Sequence, residues 1–260
     1  MNILLVGRGW AGNKMKAALD KRGHMVDFIS HKYAEKVLSS TIKYDWVVNT
    51  AGVTGTPNVD ACEFDKQNTY TGNASFPIFL YYLAKDAGAK YAHFSSGCIY
   101  AGEITSVDAE PNFFGSTYSI SKGISDTFLK DRSLVFRIRM PFTDVNEPKN
   151  FLSKILKYAK GGKLIEGGDN SVTDLNEAVE VAADLITENA EFGPYNLVNQ
   201  GSVNMHQLVE LLGIEAEWFT PEEFKAATAA SRSNCTIPSF YRMRPINDAL
   251  KDAITKLKNT

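Results

Sequence analysis

Short apolar runs alternate with amphipathic stretches along the first half of the chain. Each run is only a few residues long and carries β-branched or aromatic side chains, which is typical of strands buried on both faces of a sheet. We predict five such strands, at Asn2–Val6, His24–Ser30, Asp45–Thr50, Lys90–Ser95 and Leu134–Met140.

Apolar side chains between these runs recur at the spacing of a helix. The pattern predicts helices at Asn13–Arg22, Ser75–Asp86 and Ser121–Lys130. Strands that alternate with helices favour a parallel sheet with right-handed crossovers. The predicted fold class is therefore α/β, with a Rossmann-type doubly wound parallel sheet.

The second half of the chain has a different order of elements. They are a helix at Asn150–Tyr158, a glycine-rich turn over 161–168, a helix at Asn176–Glu188, a strand at Tyr195–Val198 and a helix at Val203–Leu212, followed by a polar tail. We assign 1–145 to a Rossmann domain, to which 173–200 return. The segments 146–172 and 201–260 are assigned to a small, interleaved C-terminal substrate-binding domain.

Composition and charge narrow the classes of function. The 260 residues carry a formal net charge of −2, which attracts neither nucleic acid nor an anionic membrane surface. The sequence contains no apolar run of about 18 residues, the length that a membrane-spanning helix needs. The cysteines Cys62, Cys98 and Cys235 form neither a metal-binding pattern nor a disulfide framework. We expect a cytoplasmic protein without a metal.

A glycine-rich loop follows the first predicted strand and opens the first predicted helix. Its sequence is Gly7-Arg8-Gly9-Trp10-Ala11-Gly12. In a GxGxxG loop the first glycine permits a tight turn, the second lets the backbone approach a pyrophosphate, and the third allows close packing of helix and strand. The phosphates lie at the positive end of the helix. The loop predicts a dinucleotide site.

The end of the second predicted strand indicates which dinucleotide binds. An acidic residue is expected there for the ribose of NAD, but the sequence reads Ser30-His31-Lys32. Asp27 lies earlier, within the strand. Arg8, His31 and Lys32 could instead meet a 2′-phosphate, so we predict that residues 1–145 bind NADPH, with NADH less favoured.

Tyr118 and Lys122 are the candidate proton-donating pair. Four residues apart at the start of a helix, they share one face. A lysine cation beside a tyrosine favours the phenolate and brings its proton within working range. The same spacing recurs at Tyr81 and Lys85, where an apolar helix face favours simple packing. Spacing alone therefore does not identify the pair.

The surrounding residues distinguish Tyr118 from Tyr81. Ser96 follows the fourth predicted strand, at the sheet edge where open α/β sheets place their sites, and can donate to a substrate carbonyl. Asn49-Thr50-Ala51-Gly52 ends the third strand, and Asn73 follows in the next helix. Together with Tyr118 and Lys122, these residues resemble the cofactor and catalytic set of the extended short-chain dehydrogenase/reductase superfamily.

Longer strings point to a narrower family. They are Gly52-Val53-Thr54-Gly55-Thr56-Pro57-Asn58-Val59-Asp60, Ser96-Gly97-Cys98-Ile99, Arg137-Ile138-Arg139-Met140-Pro141, Asn150-Phe151-Leu152-Ser153-Lys154 and Arg232-Ser233-Asn234. In these strings the chain resembles the plant-type nucleotide-rhamnose synthases, which are bifunctional epimerase-reductases. The stretch from Tyr100 to Glu110 is shorter than in that family, and the tail after Cys235 diverges, so preference for UDP or dTDP stays open.

The resemblance implies a substrate and two reactions. UDP-4-keto-6-deoxy-D-glucose, or its dTDP counterpart, is epimerised at C3 and C5, and its C4 ketone is then reduced to give UDP-β-L-rhamnose. The implied reduction uses Ser96, Tyr118 and Lys122, and the implied epimerisation uses Cys98 and Lys154. The residues implied to bind substrate are Val53, Thr54, Asn58, Ser96, Gly97, Cys98, Tyr118, Asn150 and Arg232.

Three alternatives compete with this hypothesis. The chain could reduce C4 without epimerising, like a dTDP-4-dehydrorhamnose reductase, or act on a GDP sugar, like a GDP-fucose synthase. An alternative of another class is a non-catalytic regulatory subunit that binds NADP. The intact Ser96, Tyr118 and Lys122 favour an enzyme. A homodimer is a further expectation, without a predicted interface.

Overall fold

A six-stranded parallel sheet forms the centre of the computed structural model, which describes residues 1–258. All strands of the chain, in order, are β1 (Asn2–Val6), β2 (Met25–Ile29), β3 (Trp46–Asn49), β4 (Lys90–Ser96), β5 (Gly102–Glu103), β6 (Leu134–Ile138), β7 (Pro141–Phe142), β8 (Lys163–Ile165), β9 (Thr173–Asp174), β10 (Gly193–Asn196), β11 (Glu217–Phe219) and β12 (Cys235–Thr236). The central sheet has the order β10-β6-β4-β3-β1-β2, and three two-stranded pairs (β5 with β12, β7 with β9, β8 with β11) lie outside it.

The helices connect these strands in the alternation that the sequence predicted. They are α1 (Trp10–Lys21), α2 (Ala34–Leu38), α3 (Ala61–Phe64), α4 (Lys66–Tyr70), α5 (Phe76–Asp86), α6 (Thr117–Leu129), α7 (Phe151–Gly161), α8 (Leu175–Thr187), α9 (Met205–Leu212), α10 (Pro221–Ala227) and α11 (Ile246–Lys258). Among residues 1–258, none of these helices is both long and apolar enough to cross a membrane. The α/β class and the Rossmann-type parallel sheet are confirmed.

The order of the strands reverses between β1 and β3. From β1 the chain moves outward to β2 at one edge, and it then returns to the other side of β1 to build β3, β4, β6 and β10. Val6 at the end of β1 stands opposite Ile29 of β2 and Asn49 of β3. Ligands of open α/β sheets bind outside the carboxyl ends of the strands at such a reversal.

Burial on both faces explains why the sheet strands read as unbroken apolar runs. Residues 3–6 of β1 and 46–48 of β3 are fully buried. One face packs against α1 and α8 in a hydrophobic cluster, and the other packs against α2 and α5 in a second cluster. On the first face Arg22 also pairs with Glu180 and Asp184 of α8, which ties the helix from the later part of the chain to the first helix.

A further hydrophobic cluster lies among the C-terminal elements and corrects the prediction of a polar tail. Residues 246–258 form α11, whose buried residues are Ile246, Ala249, Leu250, Ala253, Ile254 and Leu257. They pack with side chains of α7 and α9. The helical spacing was present in the sequence, but the many charged residues between the apolar ones obscured it. The division of the chain into two domains stays a prediction.

Leu250→Ala should destabilise the fold, because it removes buried methyl groups and leaves a cavity beside α7 and α9. We expect a loss of about 2–5 kcal/mol in the free energy of unfolding, measured by urea denaturation. Lys251→Ala, at the next and exposed position, is the matched control and should change the free energy by less than about 0.5 kcal/mol. Equal effects of the two variants would show that α11 is not packed as described.

Candidate active site

The glycine-rich loop forms an open cradle at the end of β1. Gly7 has a φ of +114°, and a Cβ atom there would lie 2.4 Å from the backbone nitrogen of Ala51. A Cβ on Gly12 would lie 1.9 Å from the carbonyl oxygen of Gly7, whereas one on Gly9 would meet nothing within 4 Å. The first and third glycines therefore permit close backbone packing, and the second faces open space, as a pyrophosphate site requires.

The start of α1 is suited to an anion. Its N-cap is Gly9, which provides no side-chain hydrogen bond, and its first turn contains no acidic residue. The first backbone N–H groups of a helix lack intrahelical acceptors and carry partial positive charge. A phosphate group fits this helix end both by hydrogen bonding and by charge.

A cavity of about 420 Å³ adjoins the ends of β1 and β2. Arg8, Phe28, Ser30 and Lys36 are among its lining residues, so it offers two cations, a hydroxyl and an aromatic ring. These groups fit the adenosine and 2′-phosphate of NADP. Lys36, one turn further along the chain than the predicted cluster, was missed by the sequence analysis.

The other residues at the end of β2 are placed differently. His31 and Lys32 are exposed and do not line the cavity, and the His31 ring packs edge-on against Phe76. Asp27 accepts a hydrogen bond of 2.5 Å from the Tyr44 hydroxyl. Asp27 is therefore engaged within the fold, which agrees with the prediction that it is not the ribose-binding acid of an NAD enzyme.

Asn73 organises the loop that follows β3. It lies in a π-helical turn, Thr71–Ser75, a feature that often marks functional positions. Its side-chain oxygen accepts from the Val53 backbone nitrogen and its amide donates to the Val53 carbonyl, both at 2.8 Å. The amide also reaches the Ser121 hydroxyl at 3.3 Å. Asn73 thus joins the 49–53 loop to the helix that carries Tyr118 and Lys122.

The loop itself is tied to the glycine cradle. The Thr50 hydroxyl donates to the carbonyl of Gly7 at 2.9 Å, and the Asn49 side chain accepts from the Ala51 backbone nitrogen at 3.0 Å. The predicted cofactor loops after β1 and β3 therefore form one hydrogen-bonded unit. Val53 contacts Asn73 through its backbone, while Thr54 is exposed.

Helix α6 begins at Thr117, four residues earlier than predicted. The Ser116 hydroxyl accepts from the Ser119 backbone nitrogen at 3.1 Å, and the Glu63 carboxylate accepts from the Thr117 nitrogen at 2.6 Å and from its hydroxyl at 2.7 Å. A carboxylate at a helix N-terminus satisfies exposed donors and interacts favourably with the helix dipole. These contacts fix Tyr118 in the first turn of α6, and sequence analysis missed Glu63 because it is distant in sequence.

Tyr118 stands beside Ser96 and Cys98. Burial raises the pKa of the Tyr118 phenol above its ordinary value, and the nearby Cys98 raises it further. A hydrogen bond with Ser96 and the positive charge of Arg139 act in the opposite direction without cancelling the increase. The phenol therefore stays protonated at neutral pH, and its pKa is raised, not lowered by Lys122 as the sequence predicted.

Lys122 is a buried cation one turn after Tyr118. Only 5% of the residue is exposed, and its Nζ donates to the Phe94 carbonyl at 2.9 Å. Burial lowers the pKa of Lys122 from 10.5 to about 8, and the neighbouring Asp126 partly opposes this effect. The ammonium also lies close to Gly52, where an added Cβ would be 3.6 Å from Nζ. It therefore lies at the loop of the predicted cofactor site.

Ser96 and Cys98 lie together in the turn after β4. The Ser96 hydroxyl accepts from the Cys98 backbone nitrogen at 3.1 Å, which caps the short turn Gly97–Ile99. Cys98 is partly exposed, whereas Cys62 and Cys235 are buried. Cys98 is therefore the cysteine with access to solvent at this edge of the sheet.

Lys154 lies on another element, in the first half of α7. Its side chain is partly buried, and burial together with the nearby Lys149 lowers its pKa. No hydrogen bond or ion pair within residues 1–258 joins its amine to Ser96, Cys98 or Tyr118. Ser96, Cys98 and Tyr118 thus adjoin one another, Lys122 lies one turn after Tyr118 with its amine at the β4 backbone, and Lys154 lies on a separate helix.

Two residues that were predicted to bind substrate have other contacts. Asn150 is fully buried, where it caps α7 through Leu152 and donates to the carbonyl groups of Thr143 and Val145. Its amide holds a loop, and this placement corrects the expectation of a substrate contact. Arg232 forms an ion pair of 2.9 Å with Asp60.

The Asp60 loop also contains Asn58. Its side chain accepts from the Asp60 backbone nitrogen at 2.9 Å, a local hydrogen bond that is typical of turns. Asp60 in turn accepts from the Ala230 nitrogen at 2.8 Å. The 53–60 loop is thereby connected to the 230–232 segment.

The second tyrosine–lysine pair serves packing, as its apolar surroundings indicated. Tyr81 contacts Tyr91 and Phe128 edge-on, and Lys85 is exposed. The tyrosine packs within the fold and the lysine faces solvent, so the same spacing has no comparable site around it.

Comparison with known proteins now identifies the family. The family model described as the RmlD substrate binding domain matches residues 1–243. The chain belongs to this family. Over 90% of its length it is 30% identical to the Arabidopsis thaliana bifunctional dTDP-4-dehydrorhamnose 3,5-epimerase/dTDP-4-dehydrorhamnose reductase, of which it covers 83%.

A larger Arabidopsis thaliana protein is similar over the same part of this chain. The trifunctional UDP-glucose 4,6-dehydratase/UDP-4-keto-6-deoxy-D-glucose 3,5-epimerase/UDP-4-keto-L-rhamnose-reductase RHM1 is 31% identical over 90% of the chain. The chain spans only 38% of the length of that relative.

Two solved structures share the fold over nearly the whole chain. The L780 UDP-rhamnose synthase from Acanthamoeba polyphaga mimivirus aligns with a TM-score of 0.87 at 25% identity, over 98% of this chain and 99% of the other. The dTDP-4-dehydrorhamnose reductase from Bacillus anthracis, solved in complex with NADP, aligns with a TM-score of 0.79 at 16% identity, over 99% and 98% of the two chains.

Replacing Lys122 with methionine should stabilise the protein. The lowered pKa means that the folded protein resists the charged form, so below about pH 8 the buried ammonium costs on the order of 3 kcal/mol. Lys122→Met removes this cost, and its free energy of unfolding should exceed that of the wild type at pH 7. The difference should shrink as the pH rises from about 8 towards 10.5, where the unfolded chain also loses the proton.

The control is Lys85→Met, which changes the exposed lysine of the second pair and should leave stability almost unchanged. Urea denaturation at pH 7 and pH 10 measures both variants. A loss of stability in Lys122→Met at pH 7 would contradict the description of Lys122 as a buried, costly charge.

Proposed function

We propose that this chain is an NADPH-dependent reductase of a nucleotide-activated 4-keto-6-deoxy sugar. The observation that carries the proposal is the meeting of Ser96, Tyr118 and Lys122 at the carboxyl edge of the sheet, next to the glycine cradle. The Arabidopsis relatives are named as reductases of such sugars, and the Bacillus anthracis relative was solved with NADP. A regulatory subunit would not need this complete set of proton-transfer groups.

The residues of the cradle would hold the cofactor. Gly7, Gly9 and the start of α1 would bind the pyrophosphate, and Arg8 and Lys36 would bind the 2′-phosphate through opposite charge. Lys122, beside Gly52, would contact the nicotinamide ribose. NADPH supplies the hydride that reduces the C4 carbonyl carbon of the sugar.

The protein side chains control the proton of this reduction. Ser96 would donate a hydrogen bond to the sugar O4, and Tyr118 would transfer its proton to that oxygen as the carbonyl becomes an alcohol. The raised pKa of Tyr118 keeps this proton in place before the reaction. The ammonium of Lys122 then stabilises the phenolate that remains.

A second activity, epimerisation at C3 and C5 of the UDP sugar, is favoured by one specific observation. Cys98 is partly exposed two residues after Ser96, so a thiol lies beside the group that would polarise O4. Polarisation of the C4 ketone makes the hydrogens at C3 and C5 acidic. The mimivirus relative, named a UDP-rhamnose synthase, aligns end to end with this chain. The proposed product is therefore UDP-β-L-rhamnose.

Inversion of each carbon needs a base and an acid. In the proposed step the thiolate of Cys98 removes the proton: the C–H bond breaks, an S–H bond forms, and the electron pair moves onto O4. Lys154 then gives a proton to the carbon from the other face: an N–H bond breaks, a C–H bond forms, and the electron pair returns from O4 to restore the C4 ketone. Its partly buried amine has a lowered pKa, which eases release of that proton. A reductase without epimerase activity is the competing hypothesis, and the expectations of a homodimer and a cytoplasmic location remain proposals.

Turnover in D2O separates these hypotheses. With enzymatically prepared UDP-4-keto-6-deoxy-D-glucose and NADPH, we expect oxidation of NADPH and a rhamnose product that carries deuterium at C3 and C5, detected by NMR and mass spectrometry. If NADPH is oxidised only with a sugar that has already been epimerised, and the product carries no deuterium at C3 or C5, the protein is a reductase without epimerase activity. Failure to oxidise NADPH with UDP, dTDP or GDP 4-keto sugars would contradict the reductase proposal itself.

Cys98→Ser tests whether Cys98 serves epimerisation and not reduction. It should slow deuterium exchange at C3 and C5 by about 100-fold or more, the usual contribution of a positioned base, while reduction of the already epimerised sugar continues at a similar rate. Cys62→Ser, at a buried thiol, is the matched control for exchange. Equal loss of exchange and reduction in Cys98→Ser would remove Cys98 from the epimerisation step.

A further inference from the structure

Arg139 is a buried cation directly behind the turn that carries Cys98. It follows the last residue of β6, and only 1% of it is exposed. Its guanidinium donates to the Gly97 carbonyl at 3.4 Å, the Asn170 side-chain oxygen at 2.5 Å and the Ser233 carbonyl at 2.6 Å. Nε is buried and has no hydrogen-bond partner in the described chain.

All of these acceptors are neutral. Within residues 1–258 no carboxylate forms an ion pair with Arg139. Arg137, two residues earlier and equally buried, provides the comparison, because it forms an ion pair of 2.6 Å with the buried Asp126. An arginine stays charged in a protein, and a buried charge without a counter-charge is costly. The positive field of Arg139 is therefore uncompensated, and it acts on the groups around it.

Cys98 follows the glycine against which Arg139 packs. The side chain of Arg139 packs against Gly97, where an added Cβ would lie 3.3 Å from the Arg139 Cβ, and Cys98 is the next residue. The charge of Arg139 lowers the pKa of both Tyr118 and Cys235, whereas a charge on Cys98 raises both. Arg139 and Cys98 thus lie within electrostatic range of the same two side chains.

The backbone holds Arg139 in this place. Met140 has a φ of +41°, which is strained for a residue other than glycine. This left-handed residue directly follows Arg139, whose backbone nitrogen donates to the Thr173 hydroxyl at 3.0 Å.

We propose that Arg139 is a positioning residue that stabilises negative charge on the Cys98 sulfur and so keeps this cysteine ready to remove a proton. The inference rests on the proposed epimerisation, in which Cys98 Sγ accepts the proton from C3 or C5. Because Arg139 is buried behind the Gly97–Ile99 turn, it acts through Cys98 and does not touch the sugar.

Alkylation of the free enzyme by iodoacetamide tests the proposal without substrate. The thiolate is the reactive form, so the rate at Cys98 is followed against pH by mass spectrometry, and the three cysteines fall in separate tryptic peptides. Arg139→Gln should move the midpoint of the Cys98 profile upward by about one pH unit or more. At a pH below both midpoints this slows alkylation about tenfold. Arg139→Lys keeps the charge and should stay near the wild-type profile.

Protection of Cys62 and Cys235 in the same samples reports whether each variant is folded. If Arg139→Gln does not fold, Asn170→Asp is the alternative variant. It keeps Arg139 and places a carboxylate at the atom that accepts a hydrogen bond from the guanidinium. Asn170→Asp should also move the midpoint of the Cys98 profile upward. An unchanged midpoint in a folded Arg139→Gln or Asn170→Asp variant would overturn the proposal, as would an equal shift in Arg139→Lys. Because no sugar is present, failure here is distinguishable from failure of the proposed epimerisation.

Discussion

The parallel alignment of β1, β3, β4 and β6 is the constraint on which the rest of the structure depends. Their carboxyl ends lie at one edge of the sheet, around the point where the strand order reverses. The glycine cradle, the Asn49–Gly52 loop, the Ser96–Cys98 turn and Arg139 each follow one of these four strands. Groups from distant parts of the sequence can therefore meet without any long, unsupported loop.

Helix α6 depends on this edge for its chemistry. Asn73 and Glu63 join the loop after β3 to the start of α6, and Lys122 donates to the backbone of β4. These contacts hold α6 against the segment after β3 and against β4, and they fix the positions of Tyr118 and Lys122. Preorganisation of this kind lets a site stabilise charge in the transition state without rearranging.

The distribution of charge within the site follows from burial. Asp126 of α6 and Arg137 of β6 form a fully buried pair, and Ser95 donates to the same carboxylate. This pair compensates its own charge, whereas Lys122 and Arg139 lack a paired carboxylate in the described part of the chain and lie close to the reacting groups. An uncompensated positive field suits a reaction in which negative charge develops on a carbonyl oxygen, a phenol or a thiol.

Much of this arrangement was accessible from the sequence, because buried strands and a glycine-rich loop leave local patterns. Five of the six sheet strands lie within two residues of their predicted bounds, and β10 begins two residues before the predicted Tyr195. The glycine loop and the Asn49–Gly52 loop lie together as predicted, whereas His31 and Lys32 do not line the cavity. The start of α6 was placed too late because Glu63, 54 positions before Thr117, supplies part of its cap. Asn150 was wrongly assigned to substrate binding and Arg139 was not assigned for the same reason, since their contacts are with partners that only the fold brings near. Helix α11 was missed despite its regular apolar spacing.

The central claim is that the Ser96–Tyr118–Lys122 cluster reduces a C4 ketone with hydride from NADPH. Turnover with NADPH that carries deuterium at both positions of nicotinamide C4, in ordinary water, tests this claim most directly. The account predicts one deuterium at sugar C4 for each NADPH oxidised, located by NMR of the product. Oxidation of NADPH that leaves sugar C4 without deuterium would contradict it.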